Sequence, residues 1–317
     1  MMYSPVALHI PDGFLSTLIA VIGWVLALGV IGLALRQTRK QLGERQIPLM
    51  GVLAAFIFAA QAINFPVAGG TSGHLLGGAL AAIVIGPWAG VLVMTAVIAV
   101  QGLLFQDGGL LVMGWNILNM GVFTAFTGYA AYNFMRQMLG QSKGARLAGA
   151  FFGAWVSVMV GAIATSFELA LSGTTSLSLA LPAMAGVHAL IGLGEGLITT
   201  GAVALLEASR PEVLSTGENA PGRRGATLVL AGLALALVLA VVSPWASPSP
   251  DGLEAVAEAQ SFDTLAQDPL YQLLPDYTIP VIDNAATTTI LAVGLGTVIV
   301  FGISWVVGKG LHLRTRI

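Results

Sequence analysis

Histidine is the residue type in this chain best suited to holding a transition metal, because neutral imidazole is the commonest side-chain ligand for such ions. The sequence contains four histidines and no cysteine. Thiolate metal sites, disulfides and cysteine nucleophiles are therefore excluded, and metal chemistry must use imidazole, carboxylate, amide or backbone ligands. The histidines are His9, His74, His188 and His312. We interpret His312, in the basic C-terminal tail, as a solvated surface residue.

His9 and His74 are the candidates for a shared metal site. His9 precedes the first long apolar stretch and His74 follows the second, so both reach the same membrane face if each stretch crosses the membrane. We expect Ser72 to cap the next helix and to place His74 in its first turn, where the helix dipole keeps the imidazole neutral. The alternative for each histidine alone is an interfacial residue that hydrogen-bonds to the backbone.

Three more ionisable residues fall within apolar stretches, namely Glu168, His188 and Glu195. Ionisable groups inside a bilayer are costly, so each is a functional hypothesis by default. They are candidates for proton transfer or for coupling to a partner. The alternative is polar packing between helices. No GxxxxGK[ST], HExxH or GxSxG motif occurs, so ATP hydrolysis by a Walker motif and protease or hydrolase chemistry have no support.

The composition indicates which elements must position these residues. Hydrophobic residues make up 56% of the chain and charged residues 9%, which excludes a water-soluble globule. The net charge of −2 excludes a general nucleic-acid binder. Stretches long enough to cross a bilayer lie at 14–35, 47–65, 112–134, 147–171, 182–208, 226–246 and 285–308. We interpret 73–105, interrupted at Gly86-Pro87, as two short spans, with a re-entrant element as the alternative.

The basic residues set the expected orientation, because cytoplasmic loops of membrane proteins are enriched in Lys and Arg. All 13 fall in four segments: Arg36, Arg39, Lys40 and Arg45; Arg136, Lys143 and Arg146; Arg210, Arg223 and Arg224; Lys309, Arg314 and Arg316. The prediction is an all-α polytopic membrane protein of about nine transmembrane helices, with its N-terminus outside and its C-terminus in the cytoplasm. The first apolar stretch lacks a basic leader, so we expect it to be retained rather than cleaved as a signal peptide.

We expect two modules in the chain. Residues 1–208 form a seven-helix module, 209–225 a cytoplasmic linker, and 226–317 a two-span module with an external acidic loop at 247–284. That loop carries seven carboxylates and no Lys or Arg. Asp251, Glu254 and Glu258 are candidates for cation capture. The alternative is that the carboxylates only keep the loop soluble.

Several motifs resemble one family. HIPDGFLS at 9–16 and GGTSGHLLGGALAAIVIGPWAG at 69–90 resemble the CbiM/NikM family, the substrate-binding membrane component of nickel and cobalt transporters of the energy-coupling-factor type. Segments 103–121, 168–174 and 188–200 also look like that family, and PDGLEAVAE at 250–258 is similar to its NikN-like accessory component. The resemblance covers nearly the whole chain.

The resemblance implies a seven-helix module that binds Ni²⁺ or Co²⁺ as a transported substrate, not as a cofactor, at the outer face. Its ligands would be four nitrogens, which here include the imidazoles of His9 and His74 and the nitrogen of Leu8. The chain departs from the family because MMYSPVA precedes Leu8. We expect translation to start at Leu8 or proteolysis to remove the extension, and mass spectrometry of the protein tests this.

The resemblance also implies partners and a location. A membrane coupling subunit and cytoplasmic ATPase subunits would hydrolyse ATP, so the chain itself is not an enzyme. It would lie among the lipids of the bacterial plasma membrane and bind no nucleic acid. The alternative function is a proton-coupled secondary transporter that works through Glu168, His188 and Glu195. Dependence of uptake on ATPase subunits or on a proton gradient separates the two hypotheses.

Overall fold

The computed structural model describes residues 9–44, 46–209 and 223–313, which are mainly helical. Most of the expected linker lies outside the described residues, as do Arg45, Arg210, Arg314 and Arg316. The helices are α1 (Thr17–Gln41), α2 (Gln46–Gln61), α3 (Gly78–Ile85), α4 (Pro87–Val100), α5 (Met113–Asn116), α6 (Thr124–Leu139), α7 (Lys143–Ser172), α8 (Leu177–Ser209), α9 (Arg223–Val242), α10 (Gly252–Ala259) and α11 (Ala285–Leu313). Two strands, β1 (Phe65–Val67) and β2 (Thr71–Gly73), form an antiparallel hairpin.

Six helical segments of the described chain are long and apolar enough to cross a membrane. They are Thr17–Gln41, Pro87–Phe105, Lys143–Ser172, Leu177–Ser209, Thr227–Trp245 and Ala285–Leu313, and the shorter Gln46–Gln61 is also apolar. Two π-helical turns, Gln101–Phe105 and Ile117–Phe123, extend α4 and join α5 to α6. The chain is therefore an all-α polytopic membrane protein, which confirms the fold class that the composition predicted.

The segment at 73–105 folds as a hairpin with unequal arms. Its first helix, Gly78–Ile85, has eight residues and rises about 12 Å, less than half of the roughly 30 Å hydrocarbon layer. Gly86 reverses the chain with φ of 86°, and Gly90 then packs against Ala82 of the first arm. The helix is interrupted at Gly86-Pro87, as the sequence predicted. The first of the two expected short spans, however, is only a partial helix.

The two C-terminal helices dock on α2 through small residues. Gly296 of α11 lies so close to Phe58 that an added Cβ would be 2.2 Å from the ring, and Gly232 of α9 lies as closely against Val52. A larger side chain at either glycine would force the helices apart. The modules are thus in direct van der Waals contact.

The two ends of the helix bundle differ in character. At one end, Ser72 of β2 donates its backbone N–H to Pro250, and Gln267 donates to Asp12, so the loop at 247–284 covers the segments that carry His9 and His74. At the other end, Arg146 pairs with Glu207, and His312 pairs with Glu44 at 3.4 Å. His312 therefore has a charged partner, unlike the solvated residue that we expected.

Candidate metal centre

A cavity of about 70 Å³ lies beneath the covering loop. Since a water molecule needs only about 10–15 Å³ of such space, the cavity can hold several waters or a partly hydrated ion. Apolar residues form part of its wall. Its polar lining comes from both modules and consists of His9, His74, Asn116, Asn119, Thr165, His188 and Asp251.

The structure brings His9 and His74 together in this cavity. Their ring centroids are 5.9 Å apart, with an angle of 67° between the planes, and both side chains are buried. His9 Nδ1 donates to Asp107 Oδ1 at 2.9 Å, and His74 Nδ1 donates to the carbonyl of Leu75 at 3.0 Å. In each neutral ring, Nε2 is then the nitrogen with the lone pair. His9 Nε2 is buried and has no hydrogen-bond partner among the described residues.

The position of His74 differs from the expectation in one respect. We expected Ser72 to cap a helix with His74 in its first turn, but Ser72 lies in β2 and the helix begins only at Gly78, after Gly77. The Ser72 hydroxyl instead donates to Ser249 at 2.8 Å. The expected helix cap was wrong because Ser72 bonds to the covering loop, and the Leu75 carbonyl rather than a helix dipole fixes the His74 ring.

Backbone and side-chain partners fix the segment that carries His9. Asn116 accepts a hydrogen bond from the backbone N–H of Ile10 and donates one to its carbonyl, both at 3.1 Å. Asp12 accepts from the backbone N–H groups of Leu110, Leu111 and Val112. The chain around His9 is therefore tied to the loop that also carries Asp107.

The contact between His9 and Asp107 shifts the pKa of both groups. Burial alone would lower the pKa of His9, but the adjacent Asp107 carboxylate outweighs burial and raises it. Burial would raise the pKa of Asp107, but His9 and the hydrogen bond from Tyr277 lower it. Asp107 therefore remains an anion behind the imidazole. A carboxylate in that position orients a metal-binding histidine and increases its basicity.

The three membrane-embedded ionisable residues occupy separate hydrogen-bond networks. Both carboxylate oxygens of Glu195 accept backbone N–H groups, from Leu76 at 2.6 Å and from Gly77 at 2.9 Å. Glu168 Oε2 accepts from Asn119 at 2.9 Å, and His188 Nδ1 donates to the Met184 carbonyl. Among the described residues no hydrogen bond joins any two of these three. Glu195 holds the segment after His74, and His188 lines the cavity.

The three loop carboxylates proposed for cation capture differ in exposure. Asp251 is buried in the cavity wall, and burial raises its pKa to about 7. Asp251 and Glu254 form a capping box at the start of α10, with Asp251 Oδ1 accepting from the backbone N–H of Glu254 at 2.8 Å. Only Glu258 of the three is exposed. Cation capture by these loop carboxylates stays a prediction.

Asp107 and Tyr277 were not recognised as site residues from the sequence. Asp107 follows an apolar helix within QDGG, and Gln106 and Gly108 on either side have positive φ. An acidic residue in a tight loop at the same membrane face as two histidines is a signal that could have identified it. The sequence gives no such signal for Tyr277, because its hydrogen-bond partner Asp107 lies 170 residues away in the chain.

The described residues supply only part of a metal coordination sphere. Within residues 9–44, 46–209 and 223–313, no group of three His, Asp or Glu side chains is arranged to hold a metal ion. Leu8, expected to contribute a nitrogen ligand, lies outside the described residues. The arrangement thus provides two imidazoles, one with a fixed carboxylate behind it, in a small cavity.

Comparison with known proteins identifies the family. The model of the cobalt uptake substrate-specific transmembrane region, CbiM, matches residues 9–213, and the PDGLE domain model matches residues 226–313. A protein of Archaeoglobus fulgidus assigned as a fused nickel transport protein NikMN is 37% identical, with 94% of this chain and 97% of that protein covered. The fused nickel transport protein NikMN of Rhodobacter capsulatus is 30% identical, with 98% and 99% covered.

A solved structure is also similar. The crystal structure of a truncated transition metal transporter matches 63% of this chain and 99% of its own length, with 32% identity and a TM-score of 0.57. The CbiM model alone spans more than half of the chain. The chain therefore belongs to the CbiM family of cobalt uptake substrate-specific transmembrane regions, and it carries a PDGLE domain on the same polypeptide.

Proposed function

We propose that this chain is the metal-binding membrane subunit of an ATP-driven importer of the energy-coupling-factor type, with Ni²⁺ or Co²⁺ as its transported substrate. The convergence of His9 and His74 on one cavity, with His9 Nε2 buried and unpartnered among the described residues, is the observation that carries the proposal. The nickel and cobalt transport assignments of the relatives support the choice of metals.

Nitrogen ligands suit these two ions. Imidazole binds late first-row divalent metals well, and a planar set of nitrogens favours Ni²⁺ over Zn²⁺, which prefers a tetrahedral site. We assign His9 and His74 as the two imidazole ligands. The remaining nitrogens would come from the chain before His9, including that of Leu8, as the family resemblance implies.

The proposed direction of transport is inward. The end of the bundle that carries the metal cavity has the acidic loop, and the opposite end has Arg146 and the ion pair of His312 with Glu44. By the positive-inside rule, the cavity would face the outside and the basic end the cytoplasm. Separate coupling and ATPase subunits would drive transport, since the sequence has no Walker motif of its own.

Substitution of His74 tests the proposed site. We expect His74→Ala to abolish Ni²⁺ and Co²⁺ binding, measured by calorimetry on the full chain in detergent, because one of two imidazoles is lost. His312→Ala is the matched control, since it removes a histidine at the opposite end and should leave the affinity unchanged. Equal metal affinity in the His74→Ala variant and the unchanged chain would contradict the site.

A reconstitution experiment tests the energy source. We expect metal uptake into vesicles that contain this chain to require the coupling and ATPase subunits together with ATP. The proton-coupled alternative predicts uptake driven by a pH gradient without those subunits. Glu195 is poorly suited to carry protons, because both of its oxygens are engaged by backbone N–H groups. Gradient-driven uptake without ATPase subunits would overturn the proposed energy coupling.

A further inference from the structure

One side chain of the C-terminal module reaches the support of His9. The Tyr277 hydroxyl donates to Asp107 Oδ2 at 2.6 Å, while the other oxygen, Oδ1, accepts from His9 Nδ1 at 2.9 Å. Gln101 donates to the same hydroxyl at 3.2 Å, which directs the hydroxyl hydrogen towards Asp107. All four side chains are buried. A continuous chain of hydrogen bonds therefore runs from Tyr277 to the imidazole of His9.

The surroundings hold the Tyr277 ring in a single position. It stacks on Phe105 with centroids 4.8 Å apart and an angle of 19°, and it lies 6.0 Å from the ring of Phe58. The backbone at Asp276 and Tyr277 has φ of 50° and 58°, a left-handed conformation that is unfavourable for non-glycine residues. Such a conformation persists where packing and hydrogen bonds over-determine it, as they do here.

The hydrogen-bond chain gives the fused C-terminal module a direct connection to the metal ligand. The carboxylate behind a metal-binding histidine fixes which nitrogen carries the hydrogen and which way the ring faces. Tyr277 in turn fixes the carboxylate by occupying its second oxygen. We propose that Tyr277 is a positioning residue of the metal site, which orients His9 through Asp107 and makes metal affinity depend on docking of the C-terminal loop. This inference rests on the proposed role of His9 as a metal ligand.

Removal of one hydroxyl tests the inference. We expect Tyr277→Phe to weaken Ni²⁺ binding by about 10- to 100-fold, the usual loss when the support of a metal ligand is removed. The phenyl ring keeps the stacking on Phe105, so the loop stays docked. Calorimetry on the full chain in detergent gives the affinity. The visible absorption of bound Co²⁺ reports the geometry of the metal ligands. A purely structural role of Tyr277 would leave that absorption unchanged.

Tyr271 provides a matched control on the same loop. Its hydroxyl also donates a hydrogen bond, to the carbonyl of Leu103 at 2.9 Å, but it contacts neither Asp107 nor His9. We expect Tyr271→Phe to retain both the affinity and the Co²⁺ spectrum of the unchanged chain. Similar losses in the two variants would overturn the specific role of Tyr277.

A double-mutant cycle tests the route through Asp107. If Tyr277 acts only through this carboxylate, Tyr277→Phe adds little to the loss of affinity caused by Asp107→Asn. Full additivity of the two losses would contradict the route. An unchanged affinity in His74→Ala would contradict the proposed function itself. Loss of binding in His74→Ala with an unchanged affinity in Tyr277→Phe would contradict only the role of Tyr277.

Discussion

A single buried carboxylate fixes the segment that follows His74. Glu195 accepts two backbone N–H groups, one at each oxygen, and it is fully buried. In Glu195→Gln, an NH2 group replaces one carboxylate oxygen and cannot accept a hydrogen bond, so one buried backbone N–H loses its partner at a cost of about 1–3 kcal/mol. We expect a lower free energy of unfolding and weaker Ni²⁺ binding, measured by thermal denaturation and calorimetry in detergent.

Glu258 offers the control for that substitution. It is also a glutamate, but it lies exposed at the end of α10. Glu258→Gln should therefore leave both the free energy of unfolding and the Ni²⁺ affinity measurably unchanged. If Glu195→Gln retains the stability and affinity of the unchanged chain, Glu195 does not position the His74 segment.

The sequence indicated some of these residue roles but not others. The separation of His9 and His74 by two apolar stretches was enough to predict that they meet at one face, because membrane crossing imposes that geometry. The hydrogen bonds of Asp107 with His9 and Tyr277 could not be predicted from spacing. They depend on how loops fold back over the bundle, and no periodic pattern records that.

At the scale of elements, the start of helix α10 forms part of the wall of the metal cavity. Gly252 lies against His188 and Ile191, and an added Cβ would be 2.8 Å from His188 Cε1 and from Ile191 Cδ1. The ring of His188 cannot easily move, because its Nδ1 donates to the Met184 carbonyl at 2.8 Å. We expect Gly252→Ala to displace this loop, with a cost of about 1–3 kcal/mol for the overpacking.

A displaced loop leaves the cavity open, so bound metal should dissociate faster in Gly252→Ala, by roughly tenfold if about 1.4 kcal/mol of closure is lost. Stopped-flow displacement of Co²⁺ by a chelator measures the rate. Gly294→Ala in α11 is the matched control, because no heavy atom of the described residues outside its own helix backbone lies within 4 Å of its added Cβ. An unchanged rate in Gly252→Ala would show that this contact does not limit metal exit.

The helical elements were predictable to different degrees. Long apolar runs such as 147–171 correspond to helices because a bilayer leaves few alternatives for the backbone. A short element before Gly86-Pro87 was predicted, but not that its helix reaches only from Gly78 to Ile85. The π-helical turns at Gln101–Phe105 and Ile117–Phe123 were not predicted. Most residues of these irregular elements are buried, and hydropathy does not detect a change in helical geometry.

At the scale of the whole molecule, the distribution of charge predicts the orientation in the membrane. The loop at 247–284 has seven carboxylates and no Lys or Arg, whereas the helix ends near Gly43 carry the described basic residues Arg39, Lys40, Arg136 and Lys143. We therefore expect Glu258 to face the outside and Gly43 to face the cytoplasm. The natural absence of cysteine allows a direct test with single introduced thiols.

We expect Glu258→Cys to react with a membrane-impermeant maleimide in intact cells, and Gly43→Cys to react only after the cells are permeabilised. Both positions are exposed, and an added Cβ at Gly43 meets no atom of the described residues beyond its chain neighbours, so neither change should perturb the fold. The unchanged, cysteine-free chain gives the background. The reverse labelling pattern would place the metal cavity on the cytoplasmic side, which is incompatible with capture of the ion from outside even if His9 and His74 bind it.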